Sequence, residues 1–287
     1  MGPIIRSDVD LVVQAQAISP ATLDQLMERL PARAIMPIGL GTPHAFRFPD
    51  IAPDDTWLTI AAELGCDAAF VPRDRSLSRV ALVAMDMDST LITIECIDEI
   101  ADLMSIGDKV ATITASAMRG EIDFGESLRR RVASLADCPV AKLERVYDER
   151  LRLSPGAERM LAAFKAAGAK TALVSGGFTF FTDRLAKLLD FDYTVANSLE
   201  IKEDKLTGRV KEPIVDARVK AHDVHVMREQ LLGDKDLTVA IGDGANDLPM
   251  FGEVDIAVAY RAKPIVRAQA THALDHCGLD GVLNLFT

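Results

Sequence analysis

Asp86-Met87-Asp88-Ser89-Thr90-Leu91-Ile92 follows directly on the apolar run Arg79-Val80-Ala81-Leu82-Val83-Ala84-Met85, and this junction decides the fold. A β-rich run ending in two carboxylates spaced i, i+2 projects both side chains from the carboxyl edge of a sheet, where open α/β folds place their ligand crevices. Like charges that close repel unless a cation or a proton lies between them. The pair therefore points to a hard metal ion, with one carboxylate ionised and the other protonated. As bare local structure the same residues make a strand end with an Asx turn and a helix N-cap, so the flanking pattern has to arbitrate.

Downstream of Asp88, roughly 60 residues of helical pattern intervene before the next strand, and they read as a helical cap inserted at about 93–152. Within it Phe124, Leu128, Val132 and Leu135 form an apolar stripe; Arg131 falls inside its arc, while Arg129 and Arg130 point elsewhere. An inward Arg131 is either a snorkelling side chain or a ligand. Past Ser154-Pro155-Gly156, a helix carrying Ala157, Met160, Leu161 and Phe164 on one face closes at Gly168, and 171–174 makes a buried strand. Further strands are expected over 193–196, 237–241 and 255–258, with helices near 178–189 and 217–232. Residues 199–210 read as a β-hairpin turning at Glu203-Asp204-Lys205. This alternation predicts an α/β, doubly wound, mostly parallel Rossmann-like core over 79–287.

Upstream, 1–78 reads as a small α+β domain. Strands over 11–17, 34–38, 44–48 and 68–71, with helices over 21–30 and 55–64, give a ferredoxin-like βαββαβ order similar to ACT-type domains. No local motif in it names a ligand, so structural packing or a homodimer through this domain is the expected role, with regulation left open. The polar stretch 73–78 reads as the linker.

Bulk composition narrows the class. A chain of 287 residues, 49% hydrophobic and 26% charged, has the make-up of a globular protein of about two domains. No apolar stretch reaches the roughly 18 residues of a membrane span. Residues 1–8 lack a basic segment followed by an apolar one, so no secretory signal and a cytoplasmic location are expected. Cys66, Cys96, Cys138 and Cys277 are scattered, which argues against disulfides and thiolate zinc sites. A net charge of −11 disfavours a nucleic-acid partner.

Other strand ends carry polar groups too. Ser175-Gly176-Gly177 is expected between a strand and a helix, where hydroxyl and backbone N–H groups can hold an anion. Ile241-Gly242-Asp243-Gly244-Ala245-Asn246-Asp247 closes another strand, and Asp243 is placed to complete an oxygen set for Mg²⁺. Lys220 lies early in a helix, where the macrodipole disfavours a cation. Alone it reads as solvated; otherwise an anion should be near it. His222 and His225 are assigned to a solvated helix face.

Taken together, Asp86-Met87-Asp88-Ser89-Thr90, Ser175-Gly176-Gly177, Lys220 and Gly242-Asp243-Gly244-Ala245-Asn246-Asp247 resemble the four ordered motifs of the haloacid dehalogenase (HAD) superfamily, from about residue 79 to the C-terminus. Ile94-Glu95-Cys96-Ile97-Asp98-Glu99, 124–131 and Ser175-Gly176-Gly177-Phe178 look like its phosphoserine phosphatase branch. The resemblance implies that Asp86 is the nucleophile, forming an aspartyl-phosphate, and that Asp88 is the general acid and base. It implies Mg²⁺ on Asp86, on Asp88 through its carbonyl, and on Asp243. Lys220 and Ser175 would bind phosphoryl oxygens, with Asp247 orienting Lys220. Glu95, Arg131, Ser175, Gly176 and Asn246 would contact the substrate, O-phospho-L-serine, whose ammonium and carboxylate suit Glu95 and Arg131. The implied role is the last step of serine biosynthesis. Alternatives are a phosphotransferase or phosphatase for a related alcohol such as phosphohomoserine, and a non-enzymatic amino-acid sensor.

Overall fold

The computed structural model describes residues 8–39 and 44–287; the stretch 1–7, examined above for a leader, lies outside the described residues. The chain opens with β1 (Val9–Ala15), α1 (Pro20–Arg29), β2 (Met36–Ile38), β3 (His44–Phe48), α2 (Asp55–Glu63) and β4 (Asp67–Pro72). Both helices start where a side chain accepts a backbone N–H, Ser19 from Thr22 and Asp54 from Thr56. The four strands form an antiparallel sheet in the order β2-β3-β1-β4. Period-two alternation gives that sheet two working faces. Leu11, Val13 and Phe48 pack under the helices with Leu26 and Ile60. Val12, Ala69 and Val71 face the other way and merge with the core of the remaining chain.

The main sheet starts at β5 (Val80–Met85), in which every residue is buried. Val83 and Met85 enter one core cluster and Leu82 and Ala84 another, so both faces of the strand are covered. After the inserted helices come α7 (Ala157–Ala166), β6 (Lys170–Phe178), α8 (Thr179–Leu189), β7 (Tyr193–Asn197), the hairpin β8 (Leu199–Lys202) and β9 (Lys205–Val210), and α9 (Ala217–Leu231). The chain closes with β10 (Leu237–Gly242), α10 (Leu248–Phe251), β11 (Ile256–Tyr260), α11 (Pro264–Arg267) and β12 (His272–Leu274). Strands β12-β11-β10-β5-β6-β7 lie in that order, each parallel to its neighbour. From β5 the chain builds first toward β6 and β7, then returns to add β10 on the other side. The order therefore reverses at the carboxyl end of β5, the position where such sheets bind ligands.

The inserted segment is helical: α3 (Cys96–Leu103), α4 (Gly107–Met118), α5 (Phe124–Ser134) and α6 (Val140–Arg145), ending in a wide turn at Val146–Arg150. Its two connections run antiparallel, with Ile92 bridged to Leu153 and the Thr93 N–H donating to the Arg152 carbonyl at 3.0 Å. The β8–β9 hairpin belongs with this segment more than the sequence pattern indicates. Leu206 exchanges backbone hydrogen bonds with Asp137 and Cys138 at 2.9 Å. Its turn residues Glu203 and Asp204 take left-handed φ values of 52° and 57°, as a tight hairpin requires.

Candidate active site

Asp86 ends β5, Ser175 lies near the end of β6, and Asp243 follows β10, so three neighbouring strands deliver polar groups to one edge. Lys220 reaches the same edge from α9. The Asp216 side chain takes the Arg218 and Val219 N–H groups at the N-terminus of that helix. The structure overturns the solvated reading of Lys220: it is 1% exposed, with its Nζ 2.9 Å from Asp86 Oδ1 and 2.6 Å from Asp247 Oδ1. Burial pushes its pKa down, but Asp86 and Asp247 outweigh that and hold it above the usual lysine range.

Carboxylates outnumber that one cation. Ligand oxygens of Asp86, Asp243 and Asp247 lie within 4.8 Å of one another. Burial, then the Asp86 charge, pushes Asp243 up to about 6, partly offset by the Thr90 hydroxyl, which donates to Asp243 Oδ1 at 3.1 Å. Burial and Asp86 also raise Asp247, against the pull of Lys220. Both Asp247 oxygens are committed, one to Lys220 and one to the Gly244 N–H at 3.1 Å, which suits it to orienting the lysine. A crowd of hard oxygens whose pKa values rise for want of positive charge is the donor set that fits a divalent ion.

Asp88 is set differently. Its Oδ1 accepts the Cys96 N–H at 3.1 Å. Burial, then Glu95 and Asp86, raise its pKa well above the ordinary carboxylate value, favouring the protonated form. Gly177 makes this packing fit, because a Cβ there would lie 2.8 Å from Met87 Cε and 2.9 Å from Asp88 Oδ2. Ser175 is buried, and its oxygen accepts the Gly177 N–H at 2.9 Å, leaving its proton free to donate. One expectation needs correction here. Strand β6 continues through Phe178, which pairs with Asn197 after a register shift, so Ser175 sits in a strand end rather than at a helix N-terminus.

At the outer end of the crevice, Glu95 accepts the Ser89 hydroxyl at 2.8 Å. Arg131 turns inward while Arg129 and Arg130 are exposed. Its Nε is buried and, among the described residues, has no hydrogen-bond partner. Burial lowers its pKa, and Asp98, Glu95 and Asp88 pull it back up. Phe124 closes over Gly176: a Cβ at that glycine would meet the ring at 3.0 Å. Asn246 lies half-buried in the short turn between Asp243 and Asp247, and His222 and His225 are exposed as expected. Sequence alone assigns Ser89 and Thr90 no role: they lie inside the quoted motif, but only the folded chain shows which acids their hydroxyls serve.

Residues 83–252 match the haloacid dehalogenase-like hydrolase family. The chain belongs to that family. A phosphoserine phosphatase from Polaromonas sp. is 52% identical over 217 residues, covering 74% of this chain and 92% of the relative. The crystal structure of a probable phosphoserine phosphatase from Vibrio cholerae, in unliganded form, superposes with a TM-score of 0.83 at 38% identity, covering 96% of this chain and 85% of that one. A substrate-bound phosphoserine phosphatase complex superposes with a TM-score of 0.66 at 35% identity, over 72% of this chain and 99% of that one. Phosphatases of this family are generally metal-dependent, and the acid cluster at Asp86 is where this chain has ligands for an ion.

Proposed function

We propose that this chain is a Mg²⁺-dependent phosphoserine phosphatase that hydrolyses O-phospho-L-serine to L-serine and phosphate, the last step of serine biosynthesis. The observation that supports it most is a pair of opposite charges at the mouth of the acid cluster. Glu95 and the Arg131 guanidinium lie near enough to shift each other's pKa, and Arg131 also feels Asp88. A phosphoserine held by phosphate at Asp86 presents its ammonium and its carboxylate to that pair.

Asp86 attacks phosphorus as the bond to the serine oxygen breaks, and Asp88, protonated in its buried site, gives that oxygen a proton. Water then attacks the aspartyl-phosphate, Asp88 takes the water's proton, and the Asp86–phosphorus bond breaks to release phosphate. Lys220 and the Ser175 hydroxyl hold the phosphoryl oxygens, and Asp247 keeps Lys220 aimed at Asp86. Asp86, the Asp88 carbonyl and Asp243 are the residues that would hold Mg²⁺, which when bound neutralises charge on the transferring group. The helical segment, inserted at about 93–152 of a 79–287 core, brings Arg131 and Phe124 over the substrate and shields the phosphoenzyme from water until serine leaves.

Residues 1–78 act as a packing domain in this proposal. The sheet face opposite their helices is taken up by the chain's own core, so a homodimer through this domain would use its helices or the β2 edge. Four buried, unpaired cysteines and the lack, among described residues, of any helix long and apolar enough to cross a membrane fit a cytoplasmic location. Phosphate release from O-phospho-L-serine, measured with Mg²⁺ and with a chelator, tests the reading. Turnover of phosphohomoserine in preference to phosphoserine, or transfer of phosphate to an added alcohol, would replace it with the phosphotransferase or related-phosphatase alternative.

A further inference from the structure

Ser89 holds a backbone conformation that a side chain makes costly. Its φ of 56° and ψ of 0° are left-handed, which glycine adopts freely and other residues adopt at a cost of about 1 kcal/mol. A serine occupies the position, and its hydroxyl is put to use. Ser89 Oγ donates to Glu95 Oε1 at 2.8 Å, and among the described residues no other side chain hydrogen-bonds to Glu95. The neighbouring backbone is tied to the same segment: the Ser89 N–H donates to the Ile94 carbonyl at 3.2 Å, and the Cys96 N–H to Asp88 Oδ1 at 3.1 Å. These three bonds staple the stretch carrying Glu95 to the loop carrying Asp86 and Asp88. Glu95 lies past the paired connections at Ile92 and Leu153, yet it is anchored to the nucleophile loop. Arg131 sits on the Phe124–Ser134 helix, and among the described residues its Nε makes no hydrogen bond.

We propose that Ser89 is a positioning residue for Glu95, and that it makes recognition of the substrate ammonium a property of the nucleophile loop rather than of the cap. This deepens the phosphoserine reading and rests on it. With Oε1 held by the hydroxyl, Oε2 stays open to the crevice for the ammonium. Without the hydroxyl, Glu95 swings among rotamers in a pocket already crowded with acids.

The test compares Ser89→Gly and Ser89→Ala on two substrates, O-phospho-L-serine and 3-(phosphonooxy)propanoate, which is phosphoserine without its amine. Glycine relieves the backbone while alanine keeps the strain, so the pair separates hydroxyl from conformation. Both variants should raise KM for phosphoserine about tenfold, the worth of one hydrogen bond to a charged group. Both should leave kcat within about twofold and spare KM for the amine-free substrate. Adding Ser89→Ala to a Glu95→Gln protein should cost nothing further. If glycine matches the wild type while alanine does not, or both substrates suffer equally, the proposal is overturned. If wild-type protein ignores phosphoserine but cleaves another phosphate, the substrate reading fails by itself. The same variants compared on amine-bearing and amine-free forms of that phosphate then decide the role of Ser89.

Discussion

Two groups of buried acids, one in the crevice and one at the seam between the N-terminal sheet and the main core, differ in how completely their charge is answered. At the seam, Asp67 accepts three backbone N–H groups, from Asp275, His276 and Cys277, at 2.7, 2.9 and 3.0 Å. Asp10 is met there by Arg47 and Arg73, and Gln14 by Asn284 at 2.7 Å. In the crevice, Asp86 and Asp247 share Lys220, and Asp243, Asp88 and Glu95 add more negative charge beside them. Fixed donors that satisfy an acid make it structural. Acids left in excess await something that arrives, which is the condition for binding a cation and a cationic substrate group.

The largest expected effect lies in the crevice. Asp86→Asn should abolish turnover, a fall of at least about 10⁴-fold, and Asp88→Asn should lower kcat by about 10² to 10⁴. Both are read by phosphate release from protein whose fold is checked by circular dichroism. Near-wild-type rates in either variant would break the comparison at its functional end. Arg131→Ala should weaken phosphoserine by about 10²-fold in kcat/KM and phosphoethanolamine, which has no carboxylate, far less. Equal losses would make the arginine structural.

Stability should respond in the opposite pattern. Asp67→Ala should cost about 3 kcal/mol in urea unfolding, because it strands three N–H groups, while kcat per folded molecule holds. In chelator, Asp243→Asn should leave stability unchanged or raise it, since it removes an unanswered charge. A large destabilisation from Asp243→Asn would erase the distinction between the two regions.

A pH effect also falls at the seam. His272 Nε2 lies 2.7 Å from Arg75 Nη1, and burial together with the Arg75 charge lowers its pKa to about 3. The unfolded chain takes up a proton below about pH 6.5, whereas the folded one does not until about 3. Its contribution is therefore full above about pH 6.5 and is lost as pH falls toward 3, at about 1 kcal/mol per unit. The stability difference between wild type and His272→Gln should narrow on acidification. A difference that stays constant from pH 7 to 4.5 would show that the proton is taken up equally in both states.

The main sheet was legible because its signals are local. A run such as Val80–Met85, buried on both faces, reads as a central parallel strand from composition alone, and strand ends in such sheets are ligand sites wherever the rest of the chain goes. The βαββαβ order could be read for the same reason, with element ends shifted by one or two residues. Ser175 was misplaced because β6 is prolonged by pairing with Asn197, a partner remote in the chain that no local pattern reveals. The docking of the β8–β9 hairpin on the inserted helices was hidden likewise, since Leu206 finds Asp137 and Cys138 only in three dimensions.

Periodicity and motif spacing thus determined by themselves the α/β class, the ligand-bearing strand end at Asp86 and the residue types gathered there. Tertiary structure alone decided that Lys220 is buried between two aspartates, that Ser89 serves Glu95, and that Asp67 clamps the C-terminal segment. The reason is physical. Secondary structure follows from preferences over a few neighbouring residues, whereas the state of a buried charge depends on every donor and acceptor around it, most of them supplied by distant parts of the chain.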